Sequence, residues 1–201
     1  MRMASHTEAP PAPATEIETE RDLVARLRQG DPAAFDRAYA LHRDPIHRFL
    51  LRLAGRRDLA DDLFQETFLK LARHALRLAE DTHLAAWLFT VARNEYRSYR
   101  RFLLLDDDRL RALHLLPAAR TAPSPEADTA CGQAMAQLER ALAEVSPKSR
   151  EVLLLVGVEQ LSQDVVAAIL GLQPAALRKR LERARADLTA RLTKIQNGDP
   201  R

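Results

Sequence analysis

The chain has 201 residues, enough for one domain or two small ones, and a modest net charge of +3. Only six glycines and 5% aromatic residues, with abundant Ala and Leu, favour an all-helical protein. A single cysteine, Cys131, excludes an intramolecular disulfide framework and a multi-cysteine zinc site, the six histidines form no HExxH set, and no apolar run approaches the ~18 residues that cross a membrane.

Residues 1–20 mix Pro, Ala, Thr and Glu without an apolar signal core, which reads as a disordered tail on a cytoplasmic protein. Helical periodicity starts near Arg21, where Leu23, Val24 and Leu27 form an amphipathic face that Gly30 stops. Asp31 is placed to cap a second helix, with Pro32 at its first position and Phe35, Ala38, Tyr39 and Leu41 along it. Pro45 then introduces a further segment, IHRFLLRLAG, which closes at Gly55. Asp58 is expected to cap a long helix to about Leu78. Its core face is Ala60, Phe64, Phe68, Leu71 and Ala75. The opposite side carries Asp61, Asp62, Gln65, Glu66 and Arg73, with Leu69 in their midst. A leucine among carboxylates suits a protein contact, although a lone exposed leucine is also ordinary surface.

A loop over 79–83 leads to a helix from about Leu84 to Phe102, containing WLFTVARNEYRSYRR. Arg93, Arg97, Arg100 and Arg101 against Glu95 give this run a net charge of +3. Trp87, Tyr96 and Tyr99 are interleaved with them. Guanidinium groups beside exposed rings suit unpaired bases, while Trp87 reads as a core or partly buried residue. Residues 104–131 mix an acidic cluster, Asp106 to Asp108, with Pro117, Pro123 and Pro125, and read as a linker. Cys131 reads as a small apolar residue at its edge.

A second helical unit spans 132–195, followed by a tail over 196–201. It comprises MAQLERALAEV, the turn SPKS, the apolar REVLLLVGVE, and a helix-turn-helix from Leu161 to Arg185. Ser162 is the natural N-cap, Val166, Ile169 and Leu170 recur at helical spacing, Gly171 ends the first helix and Pro174 opens the second. Leu177, Leu181, Ala184 and Leu188 form its apolar stripe. From Pro174 to Arg185, five cations against Glu182 give a net charge of +4, which fits a recognition helix in a major groove. This pattern alone does not separate a repressor, a response-regulator output domain and a general transcription factor. The expected architecture is all-α: two small helical domains joined by a flexible linker, the C-terminal one containing the helix-turn-helix.

Taken together, DDLFQETFLKLAR, WLFTVARNEYRSYRR, a linker, and then LAEVSPKSREVLLLVGVEQLSQDVVAAILGLQPAALRKRLERARADL resemble a bacterial RNA polymerase sigma factor. The resemblance is narrower still to the extracytoplasmic-function (ECF) subfamily of the sigma-70 family, and covers about 22–101 and 133–192. It implies that Asp61, Asp62, Gln65, Glu66, Leu69 and Arg73 dock on the clamp helices of the polymerase's largest subunit. It implies that the loop bearing Glu80, Asp81, Thr82 and His83 receives a base flipped from the −10 element. Trp87, Arg93, Asn94, Arg97, Arg100 and Arg101 would hold the −10 DNA. Ala175, Ala176, Arg178, Lys179, Arg180, Glu182 and Arg183 would read the −35 element in duplex form. The linker would thread toward the RNA path of the polymerase.

The resemblance further implies core polymerase, promoter DNA and an anti-sigma factor as partners, with no enzymatic activity, cofactor, metal or membrane insertion. Three features depart from the family pattern. Val165 replaces an acid that would complete a capping box with Ser162, Ala176 stands where Thr is frequent, and Ala79, Glu80 and Asp81 stand where the loop usually has Arg-Gly-Glu/Asp. These bear on promoter sequence rather than on class. Glu182 is placed either to accept from a cytosine amine or to pair with Arg178. The competing reading is a free-standing DNA-binding regulator with an unrelated helical sensor. It accounts for the helix-turn-helix but for neither the Leu69 face nor the Arg/Tyr helix. No nucleophile–base pair, metal set or phosphate loop points to an enzyme.

Overall fold

The computed structural model describes residues 19–104 and 130–197. The expectations for the tail over 1–18, the acidic and proline-bearing stretch 105–129, residues 198–201 and the Cys131 side chain lie outside the described residues.

Helix α1 (Glu20–Arg28) begins with a reciprocal capping box: Asp22 N–H donates to Thr19 Oγ1 over 3.2 Å, and Thr19 N–H donates to the Asp22 carboxylate over 3.1 Å. Leu23, Val24 and Leu27 are buried beneath it, and Gly30 leaves the helix at φ +75°. Asp31 caps α2 (Pro32–Ala54) by accepting from Ala33 N–H at 2.9 Å.

Helix α2 runs unbroken through Pro45, correcting the expectation of a new segment there. An interior proline forfeits one backbone hydrogen bond and crowds the preceding turn, at a cost of about 3 kcal/mol. Ala34 and Ala38 before it share a buried face with Ile46, Phe49, Leu50 and Leu53 after it. Burying each large side chain contributes about 1.5–3 kcal/mol, so tertiary packing outweighs the local defect. Tyr39 and Leu41, by contrast, remain exposed.

Helix α3 (Arg57–His74) starts two residues earlier than a cap at Asp58 would place it. Asp58 is not its cap; it sits in the first turn, favoured there by the helix dipole, and pairs with Arg56. The last turn expected of this helix, Ala75–Arg77, is a separate 3-10 turn. Ala60, Phe68, Leu71 and Ala75 are buried as the periodicity demands, with Leu63 and Thr67 beside them and Phe64 only partly covered. Thr67 donates its hydroxyl to Leu63 O at 2.7 Å, which satisfies it in the core. Helix α4 (Leu84–Leu104) packs against α2 and α3, with Phe49 and Phe89 edge to face at 5.3 Å.

The second bundle contains α5 (Ala130–Glu144), α6 (Pro147–Leu153), α7 (Gln163–Leu170) and α8 (Pro174–Gln196). The stretch SPKS starts α6: Ser146 accepts from Ser149 N–H, and Pro147 is the first helical residue. Helix α6 runs on into a π turn, Leu154–Val158, and Gln160 follows at φ +52°. Helix α8 packs across α5, α6 and α7.

Both halves are helical, and among the described residues there is no strand. The two bundles also pack on one another, α4 against α7 and α2 against α6 and the π turn. Their apolar side chains form one continuous core.

At this junction the Glu159 side chain is 3% exposed; one oxygen accepts from Arg48 at 3.3 Å, while Oε1 has no partner among the described residues. Burial pushes its carboxyl above the usual glutamate value, opposed by Arg48 and Arg52. A carboxyl raised on folding favours the folded state at low pH, and that contribution is lost as pH rises from the ordinary glutamate value of 4.5 through the raised one. Glu159→Gln should therefore flatten the fall in melting temperature over that window, as read by thermal denaturation across pH.

Candidate polymerase and promoter surfaces

On α3, burial of Ala60, Phe68 and Leu71 turns Asp61, Asp62, Gln65, Glu66 and Arg73 outward. Leu69 is 39% exposed among them. Asp61 is held by His47 of α2, Nε2 to Oδ1 at 2.7 Å, and Arg57 approaches its other oxygen at 3.9 Å. The His47 ring meets Phe64 edge-on at 5.6 Å, and Tyr39 meets Phe68 at 4.9 Å. The acidic face is thus bordered by partly exposed rings from α2. Tyr39 was legible in the sequence only as an apolar residue of a neighbouring helix.

The loop 79–83 is a turn closed by Thr82 N–H donating to Ala79 O at 3.1 Å. Its shape depends on α1. Arg28 donates to Glu80 at 2.6 Å, and Glu20 both pairs with His83 at 3.2 Å and accepts from Ala85 N–H at 3.4 Å. The Arg28 hydrogen bond holds the Glu80 carboxyl below its usual range. Between α1 and the loop lies an open cavity of about 800 Å³, lined by Arg21, Asp22, Arg28, Leu76, Glu80 and Asp81 among others. Thr82 is partly covered, and Glu80, Asp81 and His83 are exposed. Glu20 and Arg28 were missed from the sequence, since nothing in a helical pattern announces which distant loop it braces.

Helix α4 divides its predicted residues. Asn94, Arg97 and Arg101 are exposed, Trp87 and Arg100 are half-buried, and Glu95 is taken up by Lys70 of α3. The expectation of freely exposed arginines and rings fails at two positions. Tyr96 and Arg93 are each only 8% exposed. Arg93 Nε donates to Glu151 of α6 at 3.0 Å, and Nη1 donates to Ile169 O at 3.4 Å. No local pattern announces this, because the partner lies 58 residues away beyond the linker.

In the second bundle, Ser162 caps α7 by accepting from Val165 N–H at 3.3 Å, and the valine returns no bond, as its side chain dictates. Gly171 takes the left-handed conformation at φ +65° and Pro174 opens α8. Leu177, Leu181 and Ala184 are buried and Leu188 half-buried. Ala175, Ala176, Arg178, Lys179, Glu182 and Arg183 are all exposed, and Arg180 is partly covered. Among the described residues no cluster of His, Cys, Asp or Glu is arranged to hold a metal, and no helix is long and apolar enough to cross a membrane.

Two family models match this chain: Sigma-70 region 2 over 38–102 and Sigma-70, region 4 over 135–188. The chain is 32% identical over 182 residues to RNA polymerase sigma factor CnrH of Cupriavidus metallidurans, covering 87% of this chain and 95% of that one. It is 34% identical over 151 residues to ECF RNA polymerase sigma factor EcfG of Rhodopseudomonas palustris, covering 73% and 78%. This chain is an ECF sigma factor of the sigma-70 family.

Solved structures of sigma factors share the fold. A structure of CnrH in complex with the cytosolic domain of CnrY superimposes with a TM-score of 0.66 at 26% identity, over 90% of this chain and 98% of that one. The sigma factor RpoE in complex with the anti-sigma factor NepR, from Bartonella quintana, gives 0.65 at 26% identity, over 79% and 96%. This sigma factor is therefore a promoter-recognising subunit of RNA polymerase. Region 2 covers most of the first bundle, including the α3 face, the loop and α4. Region 4 covers the helix-turn-helix.

Proposed function

We propose that this sigma factor divides its work by residue as follows. Asp61, Asp62, Gln65, Glu66, Leu69 and Arg73 of α3 dock on the clamp helices of the largest polymerase subunit. Glu80, Asp81, Thr82 and His83 receive a flipped base of the −10 element, which Trp87, Arg93, Asn94, Arg97, Arg100 and Arg101 hold as a single strand. Ala175, Ala176, Arg178, Lys179, Arg180, Glu182 and Arg183 lie against the −35 duplex. The functional units are a tail over 1–20, region 2 over 21–103, a linker over 104–131, region 4 over 132–195 and a short tail beyond.

One observation supports this most strongly: α3 turns a leucine ringed by carboxylates outward on the same bundle that carries the loop and the arginine helix. A free-standing repressor has no use for that face. The protein acts without enzymatic activity of its own, and in the cytoplasm, where polymerase and promoter meet. Regulation by an anti-sigma factor is part of the proposal, since the similar RpoE structure contains one.

The test is run-off transcription with core polymerase and this chain, after transcript mapping has located its promoters. Transcripts that start at mapped sites only when the chain is present support the reading. Start sites independent of the chain overturn it.

A further inference from the structure

Helix α1 is a rigid bar laid along the loop 79–83. Leu23, Val24 and Leu27 anchor it in the core. Its ends are fixed as well, by the Thr19–Asp22 capping box at the start and by Arg26 Nε donating to Asp31 at 2.8 Å just past the end. Glu20 and Arg28 are its first and last residues, about 12 Å apart along the helix axis. They grip the loop on either side of Asp81 and Thr82. Arg28 Nη1 donates to Glu80 at 2.6 Å on one side, while on the other Glu20 pairs with His83 at 3.2 Å and accepts from Ala85 N–H at 3.4 Å.

The two carboxylates of the loop are therefore unequal. Glu80 already faces a cation, whose hydrogen bond holds its carboxyl below the usual range. The Asp81 side chain is exposed and has no hydrogen bond or ion pair among the described residues. It also lines the open cavity between the loop and α1. A free carboxylate can only accept. Cytosine, adenine and guanine each carry an exocyclic amine that can donate to it, whereas thymine carries none and turns carbonyl oxygens toward it.

We propose that Glu20 and Arg28 are positioning residues that set base specificity in the −10 element: by engaging His83 and Glu80 they leave Asp81 as the reading carboxylate and aim it at the incoming base, so that an amine-bearing base is preferred to thymine. The proposal rests on the base-receiving role given to loop 79–83. Neither Glu20 nor Arg28 needs to touch the base, because each acts through the loop. Exposed ion pairs contribute little to folding, so their loss changes where the loop stands rather than whether the bundle folds.

The test is open-complex formation by the reconstituted holoenzyme on a mapped promoter, with each −10 position of the non-template strand carrying each of the four bases in turn. Wild-type protein should favour an amine-bearing base over thymine by about tenfold or more at one position. Asp81→Ala should abolish that preference. Arg28→Ala and Glu20→Ala should each reduce it to within about threefold, with melting temperatures unchanged. Arg28→Lys should retain it. Arg28→Glu should lose it, and adding Glu80→Arg should restore it by re-forming the pair with its charges exchanged. These two rescues keep the test decisive if Arg28→Ala destabilises the chain. A preference that survives Arg28→Ala and Glu20→Ala overturns the positioning role while leaving the loop as the reader. A preference that the exchanged pair fails to restore, with an unchanged melt, means that Glu80 itself reads the base and overturns the assignment to Asp81, as does a wild-type preference for thymine at the sensitive position. If no −10 position responds to Asp81→Ala or to Glu80→Ala, the base-receiving role of the loop falls, and the proposal falls with it.

Discussion

Replacing Leu69 with Ala and reversing Asp62 to Lys should weaken binding to core RNA polymerase by about ten- to a thousandfold, the range expected when a central apolar anchor and a steering charge are lost together. The fold should hardly notice. Leu69 is 39% exposed and lies outside the buried core, and Asp62 is an exposed residue that caps no helix. Surface changes of this kind usually alter stability by no more than about 0.5 kcal/mol. The measurement is fluorescence anisotropy of the labelled sigma factor titrated with core polymerase, beside a thermal melt. Weak binding with a wild-type melt places the docking face on α3. Unchanged affinity removes it. Lowered affinity with an equally lowered melt means the face was structural.

Replacing Lys179 and Arg183 with Ala should cost at least about thirtyfold in transcription from a promoter that depends on its −35 element, since each good base contact contributes about 1–3 kcal/mol. A promoter driven by its −10 region alone should lose far less. Both side chains are exposed on the face of α8 opposite Leu177, Leu181 and Ala184, so their loss leaves region 4 folded. Duplex binding should also fall steeply with salt, with a log–log slope of about −0.9 for each phosphate contact that the flanking Arg178, Arg180 and Arg185 make. Equal loss at both promoter types, or a flat salt response, would count against a −35 role for α8.

The apolar periodicities carried a good deal of this molecule. The face of α3, the cap at Ser162, the stop at Gly171 and the stripe along α8 follow from spacing and from local hydrogen-bond requirements. The failures share a physical cause, which is information held by distant residues. Pro45 signals a break when only its neighbours are considered, but six buried positions along α2 override it. Arg93 reads as a solvent-facing cation on its own helix, and only folding brings Glu151 and the end of α7 against it. A basic run reports how many charges a helix carries. It does not report which of them another bundle has already taken.

The bracing of loop 79–83 by α1 has a consequence for engineering. Glu20 and Arg28 lie more than fifty residues before the loop they hold, at 52 positions from Glu80 in the case of Arg28. A donor loop transplanted from a relative to alter promoter choice would arrive without its own supports, facing a glutamate and an arginine matched to Glu80, His83 and Ala85. The transferable module is the pair, helix and loop together. Chimaeras that exchange both should keep a definite base preference where loop-only chimaeras lose it.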